Sequence, residues 1–264
     1  MSKIKDAIEK AKRLRGVTTP FALIEDDDSV KDDAAPQAAK NKKIINYSPG
    51  AILQHNIITL TADHYELSER FKLFKTQILT KTQISGDRTI LVTSCTDGEG
   101  KTFTAVNLAI TLAREIDISV LLVDVNFKHP SVVSTFGIQT TEGLTDYLLH
   151  NKSIPDLLIS PGIEKMTILP LGDGTLQNST EIFGSLKMQH LIEEMKNRYS
   201  DRYIVFDGPS ILTSVDTVVL SKYIDKTLLV VESGKVAPQK LSDAIKLLGE
   251  EKILGTVFNK GKPT

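Results

Sequence analysis

TILVTSCTDGEGKTFTAV, residues 89–106, sets the architecture of the chain. Its first six residues, apolar or β-branched except for Ser94, read as a strand buried on both faces, and a helical pattern begins at Lys101. Between them, Gly98 and Gly100 allow backbone N–H groups to curl around an oxyanion, and the helix N-terminus behind them adds a favourable dipole. Lys101 is placed to reach the β and γ phosphates of a nucleoside triphosphate, and Thr102 to ligate Mg2+. The expected nucleotide contacts are therefore Asp97, Gly98, Glu99, Gly100, Lys101, Thr102 and Phe103. Cys95 stands where the phosphate-loop pattern has its first glycine, and it reads as a small buried residue.

The same strand-then-helix alternation continues to the C-terminus. Apolar runs predict further strands at 119–124, 166–171, 202–207, 226–231 and 253–258. Helical patterns are expected at 68–84, 101–115, 131–136, 143–150, 180–199, 215–222 and 238–249. Parallel strands joined by crossover helices follow, so the fold class is α/β, a doubly wound and mostly parallel sheet carrying a phosphate loop. Two strands end in an acid: SVLLVD closes on Asp124, and RYIVFD closes on Asp207 before Gly208 and Pro209. Open α/β sheets bind ligands at the carboxyl ends of their strands, so both acids are candidate Mg2+ ligands. The alternative for each is a plain cap on the turn or helix that follows.

Composition narrows the classes further. Lys and Arg number 32 against 33 Asp and Glu, leaving a formal charge of -1 and no global basic field for nucleic acid. One cysteine excludes a disulfide framework, and no apolar run approaches the ~20 residues that span a bilayer. Residues 1–16 have apolar positions at helical spacing with a basic face and read as a short amphipathic helix. Residues 17–50, with the acidic run 25–28 and an Ala/Pro/Gln stretch, read as a flexible linker, and 51–264 as the nucleotide-binding domain.

Three motifs resemble the bacterial tyrosine kinases, the phosphate-loop kinases of capsule and exopolysaccharide loci, and in particular their stand-alone cytoplasmic type. GEGKT (98–102) resembles their Walker A, LLVDVNFKHP (121–130) their Walker A′, and IVFDGP (204–209) their Walker B. Matches at 143–148, 168–185, 228–235 and 254–259 extend the likeness over about residues 60–260. The resemblance implies ATP and Mg2+ as cofactors and a protein substrate phosphorylated on tyrosine. It also implies a membrane chain-length or export protein as partner, which would recruit a cytoplasmic chain to the inner face of the membrane. In that scheme Lys101 neutralises phosphate charge, Thr102, Asp124 and Asp207 organise the metal, and Asp124 is the candidate base. Asn259 lies where such folds contact the nucleotide base.

Three departures accompany these matches. Asn126 and Lys128 replace the second Asp and the Arg of the A′ motif. The last tyrosine is Tyr223, so the C-terminal tyrosine cluster of these kinases is missing. Glu69, Lys72 and Lys75 stand where the family has a Glu-x-x-Arg-x-x-Arg helix that assembles subunits, which makes a homo-oligomer an expectation. A second class of function, a nucleotide-binding switch or scaffold with little phosphotransfer, fits Asn126 and the missing cluster. A partition-type ATPase on the same fold would need a lysine where Thr96 stands.

Overall fold

The computed structural model describes residues 43–55, 57–61, 64–174, 179–198 and 201–261. The expected helix at 1–16 and most of the expected linker lie outside them. The strands are β1 (Lys43–Ile44), β2 (Thr89–Ser94), β3 (Ser119–Asp124), β4 (Ile159–Ser160), β5 (Met166–Leu169), β6 (Arg202–Asp207), β7 (Lys226–Glu232) and β8 (Ile253–Asn259). They form one sheet in the order β1-β4-β5-β3-β6-β2-β7-β8, parallel except for the pairing of β4 with β5. Crossovers are made by helices, the longest being α1 (Pro49–Gln54), α2 (Tyr65–Ser85) and α3 (Lys101–Ala113) in the first half. α4 (Val132–Thr135), α5 (Leu144–His150) and α6 (Ile154–Leu157) follow β3; α7 (Ser179–Phe183) and α8 (Leu186–Asn197) precede β6. α9 (Val215–Ser221) and α10 (Pro238–Leu248) complete the set.

Strands apolar through their middle positions bury both faces, and the alternation of side chains divides them between two layers. Ile90, Val92, Val120, Leu122, Tyr203 and Val205 pack with α3 on one face. Leu91, Leu121, Val123, Ile204 and Phe206 pack with Met188, Leu191 and Ile192 of α8 on the other. A Leu122→Ala truncation in such a layer costs about 2–5 kcal/mol. α3 is buried nearly all round because α2 and residues 57–60 lie over its outer side. Asn107 of α3 fixes that cover, its Oδ1 accepting from the Thr59 N–H (3.2 Å) and hydroxyl (3.0 Å).

The structure corrects the sequence reading in four places. The linker expected over 17–50 ends by Lys43: β1 pairs with β4, Pro49 opens α1 at its first turn, and Tyr47 packs on the core. The strand expected at 166–171 stops at Leu169, since Pro170 cannot donate to a ladder. The carbonyls of Pro170 and Leu171 instead accept from Leu144 N–H and Thr145 N–H at the start of α5. The helix expected at 180–199 is two helices, broken at Gly184 and restarted by Ser185, whose hydroxyl accepts from Met188 N–H at 3.2 Å. β4 was not foreseen, two residues being too short for a periodic signal.

Candidate functional site

Register brings the site together. β6 lies between β2 and β3, with Val92 level with Asp207, and Asp207 level with Asp124. Both acids are thus side by side at the carboxyl edge, and the loop 95–100 leaves β2 directly above them.

The loop is fixed from beneath and from the side. Glu99 is buried, and its Oε1 accepts from the Thr96 N–H and hydroxyl, each at 2.6 Å, so its carboxylate ties the loop to itself. It was expected among the nucleotide contacts, but the side chain is turned inward and only its backbone remains for a ligand. Asn259 donates from Nδ2 to the Glu99 carbonyl (2.9 Å), and Lys260 donates to that of Gly98 (2.7 Å). Gly100 has φ +99°, and a Cβ there would lie 2.0 Å from Asn259 Nδ2. The position therefore needs glycine for its conformation, and a Cβ there would also displace the Asn259 amide from the loop.

Lys101, the first residue of α3, is buried and donates to Ser210 Oγ (3.1 Å), with Asp97 Oδ1 at 3.8 Å. Ser210 in turn donates to Asp97, and that bond, opposed by partial burial and aided by Lys101, holds the Asp97 carboxyl below its ordinary range. Ser210 carries no signal in the sequence, because a serine after Gly208 and Pro209 matches no chemical motif.

Thr102 donates to Asp207 Oδ2 at 2.6 Å and lies 3.1 Å from Ser131 Oγ. The other oxygen of Asp207, Oδ1, is buried with no hydrogen-bond partner. Burial first, and the neighbouring Asp124 charge second, push the Asp207 carboxyl up. Asp124 is pushed up by burial too, although its oxygens are well served: Oδ1 accepts from Asn126 N–H, and Oδ2 from Ser131 N–H and Val132 N–H, all at 3.0 Å. Two adjacent buried carboxyls, one with an orphaned oxygen, fit a divalent cation, which supplies the charge and the missing partner. No cluster of three or more His, Cys, Asp or Glu suited to a metal occurs among the described residues.

Beyond Asp124 the segment 126–131 is held in place by its own contacts. Asn126 is buried and its Oδ1 accepts from His129 N–H (3.4 Å). Phe127 meets Phe183 edge to face at 4.7 Å, and Lys128 donates to the Thr213 carbonyl. On the other flank a cavity of about 380 Å³ opens beside Phe103, Asn259 and Phe258, walled by Leu67, Arg70 and Phe71 of α2. The predicted assembly triad does not act as a unit within the chain: Glu69 pairs with Lys72 at 2.6 Å, whereas Lys75 turns to Glu115 beyond α3. No helix among the described residues is long and apolar enough to cross a membrane.

Residues 87–253 match the AAA domain model. The tyrosine-protein kinase YwqD of Bacillus subtilis is 30% identical over 215 residues, covering 81% of this chain and 89% of that one. The tyrosine-protein kinase CpsD of Streptococcus agalactiae is 29% identical over 188 residues, 69% of this chain and 79% of its own. Among solved structures, the kinase domain of VpsO superposes with a TM-score of 0.66 at 26% identity, over 76% of this chain and all of that one. The phosphate loop, the paired strand-end acids and this extent of likeness together lead to one assignment: the chain belongs to the bacterial tyrosine-protein kinases built on an AAA-type nucleotide-binding domain.

Proposed function

We propose that the chain is a protein-tyrosine kinase that uses ATP with Mg2+ and acts with a membrane chain-length protein in controlling polysaccharide polymerisation or export. The observation that carries the reading is Asp207, a buried acid bonded to the phosphate-loop threonine and left with one oxygen unpartnered. A core acid has no reason to keep that arrangement, whereas a metal-nucleotide site requires it. The names of the relatives, tyrosine-protein kinases all, agree.

Each residue then has a task. The loop backbone and Lys101 bind the phosphates, Lys101 leaving Ser210 and Asp97 for the β and γ oxygens. Thr102 and Asp207 would hold Mg2+, which when bound neutralises charge on the β and γ phosphates and orients them. Phe103, Asn259 and the cavity beside them suit the base. Asp124 fixes the segment 126–132 through its three N–H bonds, and Oδ1, with a single donor upon it, keeps an acceptor position for the proton of an incoming phenol. Asn126 hydrogen-bonds in this shell without adding charge.

The test is incubation of purified chain with labelled ATP and Mg2+, alone and with the cytoplasmic segment of a polysaccharide chain-length protein, with Lys101→Ala run beside it. The kinase reading requires phosphotyrosine from the wild type and none from the variant. Hydrolysis or silent binding without phosphotyrosine in both arms contradicts it and favours the switch.

A further inference from the structure

Six tyrosines occur in the chain, and the structure separates them by how far each could reach a phosphate donor. Tyr203 is buried and its Oη lies 2.8 Å from the Thr82 hydroxyl. Tyr47 and Tyr223 are packed against the core, and Tyr147 is half-buried beneath the Lys187 ammonium. Tyr199 lies outside the described residues. Tyr65 is different: it opens α2 and is 72% exposed.

Its position on the helix matters as much as its exposure. α2 ends at Gly86, just before β2, and Thr82 near that end meets Tyr203 at the start of β6. The helix therefore runs against the strands, and its beginning lies at the carboxyl edge of the sheet, the edge that carries the phosphate loop. Leu67, Arg70, Phe71 and Phe74 form the inward stripe that walls the cavity beside Phe103. At about 100° per residue, Tyr65 lies roughly 170° around the helix from the centre of that stripe, on the side facing away from its own loop. Glu69 and Lys72 share this outer side, one and two turns on, and pair with each other at 2.6 Å.

We propose that Tyr65 is the acceptor of phosphoryl transfer between copies of this chain. The inference rests on the kinase reading above. The phenol oxygen of Tyr65 attacks the γ phosphorus of ATP held by a neighbouring copy. The bond from that phosphorus to the β–γ bridging oxygen breaks with its electrons leaving on ADP, and the phenolic proton passes to the neighbour's Asp124 carboxylate. Glu66, next in the chain after Tyr65, adds an exposed acid that suits a basic rim on the donor, where Arg70 and Lys128 stand.

The experiment mixes wild-type chain, ATP and Mg2+ with the full-length Lys101→Ala chain as acceptor, with and without the chain-length segment, and maps phosphate by mass spectrometry. A random Glu/Tyr copolymer serves as an independent substrate. The expected result is phosphate on Tyr65 of the Lys101→Ala chain, and loss of self-phosphorylation in Tyr65→Phe with copolymer phosphorylation unchanged, since the phenol is on the surface and no part of the machinery. Phosphate on Tyr199, Tyr223 or another tyrosine with Tyr65 bare overturns the acceptor assignment while the kinase reading stands. The same holds if the copolymer is phosphorylated and the chain is not. Failure to label either substrate refutes the kinase reading and the acceptor with it.

Discussion

Asp124 and Asp207 end neighbouring strands at the same level of the sheet, each after a run of apolar residues, yet their surroundings are opposite. Asp124 receives three backbone N–H bonds from the segment that follows it and acts first as an anchor. Asp207 receives a single hydroxyl, from Thr102, and keeps a bare buried oxygen. The difference arises from what comes next in the chain. After Asp124 the backbone folds back so that residues 126–132 offer their N–H groups, whereas after Asp207 the Gly208-Pro209 pair carries the chain away, and proline has no N–H to give. Equal sequence signatures thus produce one carboxylate held by backbone donors and one that keeps an unpartnered buried oxygen.

Exchanging each acid for its amide separates the two roles. On the proposed reading, Asp207→Asn removes the charge that would face Mg2+ and should lower phosphotransfer by about 10²–10³, the scale of losing one preorganised electrostatic contact, with the fold retained. Single-turnover phosphotyrosine formation measures it. Asp124→Asn turns an NH2 toward backbone donors and should destabilise the chain by about 1–3 kcal/mol. In thermal unfolding that is a fall of several degrees, and an unchanged midpoint would deny Asp124 its anchoring role.

Asn126→Asp introduces a third carboxylate beside the pair. Asp can retain the bond from His129 N–H, so the fold should tolerate it, and phosphotransfer should rise about tenfold, as one added charge at Mg2+ and its waters suggests. A variant that alters only Mg2+ dependence, with no gain in phosphotyrosine, would point to a site built for binding.

A smaller effect concerns pH. Both acids are raised in the fold, so between the ordinary carboxylate range and the raised values the folded chain holds protons that the unfolded chain has released. Their contribution to stability is fully present at the acid end of that window and is lost as pH rises through the raised values. Thermal midpoints of wild type should therefore fall with pH relative to Asp207→Asn, and ATP with Mg2+ should remove the difference. Parallel curves would contradict the raised pair.

Much of this site was legible in residue pattern alone. The apolar strands, the glycine loop and Lys101-Thr102 carry their meaning in local spacing, because a phosphate loop needs strand, turn and helix consecutively. The resemblance added Asn259 as a residue beside the nucleotide base; the structure shows its side chain bonded to the Glu99 carbonyl of the loop. What stayed hidden depends on contacts between distant segments. Ser210 gains significance only where it meets Lys101 and Asp97, and Glu99 faces inward because Thr96 and β7 surround it. Lys75 leaves its expected face because Glu115 lies within reach across α3. Residues 43–50 look like linker by composition, and they are drawn into the fold by a two-residue pairing and the side chain of Tyr47.

The claim on which all of this depends is that Asp207 holds the metal of a metal-nucleotide complex. Calorimetric titration of ATP into wild type and Asp207→Asn, each with Mg2+ and again with a chelator, tests it directly. Wild-type affinity should fall clearly on chelation, while the variant should bind with the same weakened affinity in both buffers. An Asp207→Asn chain that keeps the full Mg2+ dependence of the wild type would contradict the account.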